Sequence, residues 1–183
     1  MCANRLPIAV VGGGSCDARI GSMAYEVGRE LARSGALVLC GGRGGVMERV
    51  ASGSRDGGGE TVGILPGRSA ADSAPNKSID LAIFTGLGQA RNQVLVLSAK
   101  AVIAVGGGWG TLSEIALALK HRIPVVLLES WTPHPPGGQS EPLLEYAASP
   151  SDAVAKAMAA GAHLGEDLDL RIPRKEPENS RAG

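Results

Sequence analysis

The sequence predicts an α/β fold: a single three-layer domain in which a mostly parallel sheet has helices on both faces. Short continuous apolar runs alternate along the chain with segments of helical periodicity. Continuous apolar runs indicate strands covered on both faces, and their alternation with helices indicates βαβ units. The length of 183 residues fits one domain. We assign the domain to residues 1–165 and expect residues 166–183, rich in charge and with two prolines, to form a frayed tail.

Each element follows from a local pattern. Apolar runs predict six strands, at residues 8–11, 36–40, 61–65, 79–84, 101–105 and 125–128. Helical spacing predicts five helices, at residues 21–34, 46–56, 89–100, 112–121 and 151–160. Gly35 closes the first helix, and Pro66-Gly67 stops the third strand. Composition predicts loops at residues 68–78 and 132–142.

Charge and composition exclude several classes of partner. The chain has 18 Lys+Arg and 18 Asp+Glu, so its formal net charge of zero disfavours a nucleic-acid coat or a polybasic membrane binder. Aromatic residues make up only 3%, too few for a base-stacking platform. The three cysteines form no CxxC and the histidines lie far apart, so no metal site is indicated. With no signal peptide or membrane span, we expect a cytoplasmic protein without nucleic-acid or membrane partners.

Glycine clustering carries most of the functional information. Eleven of the 27 glycines lie in three loops, 12–14, 41–45 and 106–110, each between a predicted strand and a helix. In a parallel sheet, ligands bind at this edge, where glycine lets backbone amides and a helix N-terminus approach an anion. The alternative is that these glycines are present only because the turns need them. We therefore expect a small phosphorylated ligand, bound by Gly12, Gly13, Gly14, Gly41, Gly42, Gly44, Gly45, Gly107, Gly108, Gly110 and Thr111.

Two common nucleotide motifs fit poorly. Gly12-x-Gly14 is followed by Asp17 where a dinucleotide fingerprint has its third glycine. The second strand ends in Leu39-Cys40-Gly41, without an acid for a ribose hydroxyl. No GxxxxGK[ST] occurs, so a P-loop NTPase is also disfavoured.

Two charged residues are candidates for chemistry. In Gly107-Gly108-Trp109-Gly110-Thr111-Leu112-Ser113-Glu114, Thr111 can cap a helix and offer its hydroxyl to a phosphate, with Glu114 three residues later. The alternative is a capping box, in which Glu114 only reaches back to the Thr111 amide. Arg91, which follows the flexible Gly86-Leu87-Gly88, is the second candidate. The alternative interpretation is that Arg91 is an ordinary solvated arginine on the surface.

The chain resembles the LONELY GUY (LOG) family, often labelled "lysine decarboxylase-like", over roughly residues 6–130. The elements that carry the resemblance are Gly41-Gly42, Gly44-Gly45-Val46-Met47, Val62-Gly63-Ile64-Leu65-Pro66, Arg91-Asn92 and Gly107-Gly108-x-Gly110-Thr111-x-x-Glu114. The resemblance implies a Rossmann-like fold, within a superfamily that includes molybdenum cofactor carriers and DNA-processing DprA proteins. It implies that Arg91 and Glu114 serve hydrolysis of the N-glycosidic bond of cytokinin nucleoside 5′-monophosphates. It also implies a homodimer or higher oligomer, to which the apolar helix 89–100 could contribute. The alternative for this helix is ordinary burial against the sheet.

The chain departs from the LOG pattern at three places, so a function other than that of the LOG enzymes must also be considered. The family's Arg-Lys is Arg91-Asn92, its Pro-Gly-Gly is Gly106-Gly107-Gly108, and its paired glutamates are Ser113-Glu114. A single glutamate with an all-glycine loop is more like the molybdenum cofactor carriers. The expectation is thus a nucleotide-binding protein, either a nucleoside-monophosphate phosphoribohydrolase that requires no cofactor or a non-catalytic carrier of molybdenum cofactor or a related pterin nucleotide.

Overall fold

A computed structural model describes residues 5–134, 137–138 and 140–169, and in this part of the chain seven strands form one sheet. The strands are β1 (Pro7–Gly12), β2 (Leu37–Cys40), β3 (Thr61–Leu65), β4 (Leu81–Phe84), β5 (Ala101–Val105), β6 (Val125–Leu128) and β7 (Leu144–Tyr146). The α-helices are α1 (Ala18–Arg33), α2 (Val46–Asp56), α3 (Arg91–Leu97), α4 (Trp109–Lys120) and α5 (Pro150–Asp169), with a 3₁₀ turn at Gly88–Ala90.

The sheet is parallel, with strand order β4-β3-β2-β1-β5-β6-β7. All six strand pairs are parallel, and in the central pair Ile8 lies opposite Ala101 and Gly12 opposite Val105. The order reverses at β1, because the chain first builds outward through β2 to β4 and then returns to β5. A crevice therefore opens at the carboxyl ends of β1 and β5, where open α/β sheets bind ligands.

Two apolar layers cover the two faces of the sheet. One core joins the face bearing Ile8 and Val10 to α1, α2 and α5. The other joins the opposite face, bearing Ala9 and Val11, to α3 and α4. Because successive strand residues point to opposite faces, covering both faces requires the continuous apolar runs of the sequence. The predicted α/β three-layer fold is confirmed.

Several element boundaries differ from the prediction. Helix α1 begins three residues early because the Asp17 carboxylate accepts a hydrogen bond from the Ile20 amide at 2.8 Å and caps the helix. The predicted helix 89–100 is a 3₁₀ turn followed by the shorter α3, whose Leu95 and Val96 are buried against the sheet. The fourth strand begins at Leu81 rather than at residue 79.

The prediction was least accurate near the C-terminal end. Strand β7 was not predicted, since Leu144–Tyr146 is short and two of its three residues are exposed at the sheet edge. Helix α5 extends to Asp169, so residues 166–169 are helical where a frayed tail was expected. Residues 170–183 of that predicted tail lie outside the described residues. Within the described part of the chain, no helix combines the length and apolar character needed to cross a membrane.

Candidate functional site

A cavity of about 210 Å³ opens at the carboxyl ends of β1 and β2, beside the N-terminus of α4. Its walls come from all three glycine loops, from β1 and from the first turns of α2, α3 and α4. The lining residues are Val10, Val11, Gly12, Gly13, Gly14, Gly41, Met47, Gln89, Arg91, Asn92, Gly108, Gly110, Thr111 and Glu114. Arg91 and Glu114 thus share one cavity with most of the predicted binding glycines.

Arg91 and Glu114 form a buried ion pair across this cavity. Arg91 is 8% exposed at the start of α3, and Glu114 is 5% exposed on α4. Nη1 of Arg91 lies 3.7 Å from Oε1 of Glu114, close enough for charge attraction but too long for a hydrogen bond. The alternative interpretation of Arg91 as a solvated surface residue is wrong.

The pair leaves strong hydrogen-bonding groups unused. Nε and Nη1 of Arg91 and Oγ1 of Thr111 are buried without a hydrogen-bond partner among the described residues. Buried polar groups in native proteins nearly always have a hydrogen-bond partner. Leaving one without a partner costs about 1–3 kcal/mol, and more when the group is charged. These atoms all belong to residues that line the cavity, so they favour a polar ligand that completes their hydrogen bonds.

The electrostatics of the pair make Glu114 a carboxyl that titrates near neutrality. Burial raises the pKa of Glu114 to about 7, and the charge of Arg91 opposes part of that rise. Burial also lowers the pKa of the Arg91 guanidinium, with Glu114 opposing the shift. Arginine stays charged even so, because its ordinary pKa lies far above neutrality. Of these two residues, Glu114 is the one whose charge changes near neutral pH.

Helix α4 does not begin as the sequence pattern suggests. Its N-cap is Gly108 and its first residue is Trp109, so Thr111 lies inside the first turn and does not cap the helix. The predicted start at residue 112 and the capping role of Thr111 are wrong, because the glycine loop ends at Gly108 in an extended conformation and the helix begins at once. No capping box forms, and the Glu114 carboxylate faces Arg91 instead. The Thr111 hydroxyl remains available.

Several loop glycines are required by the fold itself. A Cβ at Gly41 would lie 2.5 Å from Nη1 of Arg91, so glycine here makes room for the guanidinium. Gly107 has φ of +110°, and a Cβ there would clash with the side chain of Thr111. Gly45, at φ of +66°, packs against the Gly13 carbonyl. Gly42 likewise has a positive φ, of +72°.

Other loop glycines have no such reason in the protein alone. Gly14, Gly108 and Gly110 all line the cavity, none has a positive φ, and a Cβ on any of them would meet nothing within 4 Å. Gly110 lies in the first turn of α4, where glycine is less stable than alanine by about 1 kcal/mol. A ligand that packs directly on the backbone would explain why these three positions lack side chains.

Four predicted binding residues lie outside this cavity. Gly42, Gly44 and Gly45 support the turn between β2 and α2, and Gly107 lines an adjoining depression with Gly13, Gly14 and Gly108. Five lining residues were not predicted as part of the site: Val10, Val11, Met47, Gln89 and Asn92. Asn92 had a signal, since it follows Arg91 directly and replaces the lysine of the LOG pattern. The described residues contain no cluster of three metal-ligating side chains.

A crevice at the switch point of a parallel sheet, lined by glycine backbone and a buried ion pair, defines a Rossmann-like protein with a candidate site for a small ligand. The chain belongs to the SLOG cluster 4 family, whose sequence profile matches residues 5–160. It is 45% identical over 115 residues to an uncharacterised protein of Archaeoglobus fulgidus, covering 63% of this chain and 74% of that protein. It is 34% identical over 116 residues to the cytokinin riboside 5′-monophosphate phosphoribohydrolase of Mycobacterium tuberculosis, covering 60% of this chain and 62% of the enzyme.

Solved structures extend the similarity over most of the chain. The molybdenum cofactor binding protein of Rippkaea orientalis is 37% identical with a TM-score of 0.76, covering 85% of this chain and 97% of that one. The molybdenum cofactor carrier protein of Chlamydomonas reinhardtii is 35% identical with a TM-score of 0.76, covering 87% and 99%. DprA of Streptococcus pneumoniae, at 16% identity and a TM-score of 0.64, shares the fold alone. The predicted resemblance to LOG proteins and molybdenum cofactor carriers is confirmed.

Proposed function

We propose that this protein binds a phosphorylated nucleotide-type ligand in the cavity and hydrolyses the N-glycosidic bond of nucleoside 5′-monophosphates. The observation that carries the proposal is the buried Arg91–Glu114 pair, whose guanidinium has unused donors beside open glycine backbone. The match to the M. tuberculosis phosphoribohydrolase supports the same reaction. The match spans about three fifths of that enzyme and of this chain.

The 5′-phosphate belongs at the N-terminus of α4. The amides of Trp109, Gly110 and Thr111 precede the first hydrogen bond of the helix, in which Leu112 donates to the Gly108 carbonyl at 3.1 Å. Such amides have no partner within a helix, and the helix dipole favours an anion there. The unpartnered Thr111 hydroxyl adds a donor. These groups hold the phosphate without a lysine in the cavity lining.

Glu114 acts on the ribose. As the bond between C1′ and the base nitrogen breaks, its electron pair leaves with the base and positive charge develops on the sugar. The Glu114 carboxylate stabilises that charge in a site with little solvent, where electrostatic stabilisation is strong. Water adds to C1′ and its proton is released to the departing base, which balances the reaction. The charge of Arg91 opposes the rise in the pKa of Glu114 and so favours the ionised carboxylate.

A carrier without chemistry is the second candidate. Glu114 is the one carboxylate among the described lining residues. At the position of the family's other glutamate, the Ser113 hydroxyl donates instead to the Gly110 carbonyl at 2.7 Å. The molybdenum cofactor proteins of R. orientalis and C. reinhardtii also match a larger share of this chain than the phosphoribohydrolase does. The cargo would then be molybdenum cofactor or a related pterin nucleotide.

One experiment separates the two candidates. The protein is incubated with a panel of nucleoside 5′-monophosphates, and free base is measured by chromatography. Native mass spectrometry of the purified protein identifies any ligand that it carries. Release of base from at least one monophosphate supports the hydrolase. A bound pterin nucleotide, together with no base release, supports the carrier.

The substitution Gly108→Val tests the phosphate position. A Cβ at Gly108 would meet nothing within 4 Å, so the fold should be retained, as judged by far-ultraviolet circular dichroism. The branched side chain would occupy the space next to the α4 amides, and AMP binding should weaken by about tenfold or more, whereas Gly108→Ala should have a smaller effect. Isothermal titration calorimetry measures the change. Normal binding by Gly108→Val would mean that this loop is only a turn.

We also propose that the protein self-associates through the sheet edge at β4. Leu81 and Ile83 on that strand are 57% and 41% exposed, and Leu97 at the end of α3 is 49% exposed. Exposed apolar side chains on an edge strand favour a protein contact. Sedimentation equilibrium at micromolar concentration should give at least twice the monomer mass of 18.6 kDa. A monomer mass would contradict the proposal.

A further inference from the structure

Two residues of the cavity region have no role in the proposed reaction, Asn92 and Ser113. Asn92 lies in the first turn of α3, is 6% exposed and lines the cavity next to Arg91. Its Nδ2 lies 3.5 Å from Oγ of Ser113 on α4. The two departures from the LOG pattern, asparagine for lysine and serine for glutamate, therefore contact each other. A neutral pair stands where the family pattern has two charged residues.

The hydrogen bonds fix the orientation of the Asn92 amide. A serine hydroxyl has a single proton, and Ser113 donates it to the Gly110 carbonyl at 2.7 Å. Ser113 can then only accept from Asn92, so the amide nitrogen of Asn92 must face Ser113. The amide oxygen is directed the other way. In the described part of the chain, Oδ1 of Asn92 is buried and has no hydrogen-bond partner.

We infer that Oδ1 of Asn92 is a specificity-determining acceptor, which binds a neutral N–H or O–H donor of the ligand, and that Ser113 positions it. This inference rests on the proposed binding of a nucleotide-type ligand in the cavity. A buried carbonyl without a donor is costly, and a site built around an acceptor rejects ligands that lack the matching donor.

The surroundings define the chemistry of that donor. Arg91 is adjacent to Asn92 and stays charged, so a cationic donor would be repelled. A phosphate or carboxylate oxygen has no proton to offer near neutral pH. What remains is a sugar hydroxyl or an amino or imino group of the base, both of which are neutral donors.

Binding of three ligands by matched variants tests the inference. AMP carries both kinds of donor, 2′-deoxy-AMP lacks the 2′-hydroxyl, and purine riboside 5′-monophosphate lacks the amino group. Wild type should bind one of the two analogues about tenfold more weakly than AMP. Asn92→Leu should bind AMP about tenfold more weakly and no longer distinguish that analogue. Ser98→Ala, at the far end of α3, is the control and should match wild type.

The outcomes separate this inference from the proposed function. If wild type binds none of the three ligands, the proposed function fails and the inference with it. If wild type binds them but Asn92→Leu weakens all three equally or none, only the inference fails. Ser113→Ala provides an independent test should Asn92→Leu unfold. Freeing the amide to turn should weaken AMP by about two- to fivefold and leave the selected analogue unchanged, and an equal loss for both would overturn the inference.

Discussion

Replacing Glu114 with glutamine is expected to lower turnover of a nucleoside 5′-monophosphate by about 10²-fold or more while leaving its dissociation constant nearly unchanged. Glutamine keeps the size of the side chain and removes only its charge. The sugar becomes cationic only as the glycosidic bond breaks, so the carboxylate stabilises the transition state more than the bound substrate. Single-turnover kinetics with free-base detection, together with calorimetric titration, measures the two effects separately.

The control for this substitution is Glu145→Gln, which removes a carboxylate from an exposed position of β7 and should have wild-type activity. Full activity of Glu114→Gln, in a wild type that turns over, would show that Glu114 has no catalytic role. An inactive wild type that binds a pterin nucleotide would instead identify a carrier, in which Glu114 and Arg91 only shape the site.

Glu114 should also make the free energy of unfolding depend on pH. The pKa of Glu114 is about 7 in the folded protein against an ordinary value of 4.5, so the folded protein binds a proton more tightly than the unfolded chain. Between these values the unfolded state has lost that proton and the folded state has kept it. This contribution to the free energy of unfolding therefore falls as pH rises from 4.5 to 7, by about 3 kcal/mol in all.

Glu114→Gln removes this titration, because glutamine resembles the protonated acid at every pH. The variant should match wild type near pH 4.5 and exceed its free energy of unfolding by about 3 kcal/mol at pH 8. Urea unfolding at both pH values, with Glu145→Gln as the exposed control, measures the difference. A constant difference between variant and wild type, independent of pH, would show that Glu114 is not the group that titrates.

Glu114 is expected to lower the stability of the folded protein and to raise its activity. Placing a carboxylate beside Arg91 in a buried cavity destabilises the folded protein, and the attraction between the two charges offsets only part of the cost. A residue retained for packing alone would be replaced by a neutral one with a gain in stability. Catalytic groups commonly show this exchange of stability for function.

Much of the fold could be predicted because the sheet is buried on both faces. The central strands, such as Ile8–Val11 within β1 and Ala101–Val105 in β5, are apolar without interruption and follow directly from the sequence. Strand β7 could not be predicted in this way. At the edge of the sheet only Leu144 of this strand is partly buried, so the strand has no continuous apolar run. Three residues are also too few to show an apolar pattern.

The candidate site was predictable where topology alone decides it. Loops that follow parallel strands meet at one sheet edge, so Arg91 and Glu114 could be expected near the same glycines. The position of Thr111 inside the first turn of α4 could not be predicted, because Thr-x-x-Glu fits a capping box equally well and only the start of the helix at Trp109 excludes that box. The Asn92–Ser113 contact depends on how α3 and α4 pack, which no local pattern encodes.

We propose that one cavity holds the phosphate of a nucleotide at the N-terminus of α4 and places the sugar of that nucleotide next to Glu114. A crystal structure of the Glu114→Gln variant with AMP tests it most directly, because the variant should bind without hydrolysing the ligand. We expect phosphate oxygens within hydrogen-bond distance of the Gly110 and Thr111 amides, with C1′ facing residue 114. Phosphate bound elsewhere, for example in the separate depression lined by Arg43 and Ser73, would contradict it.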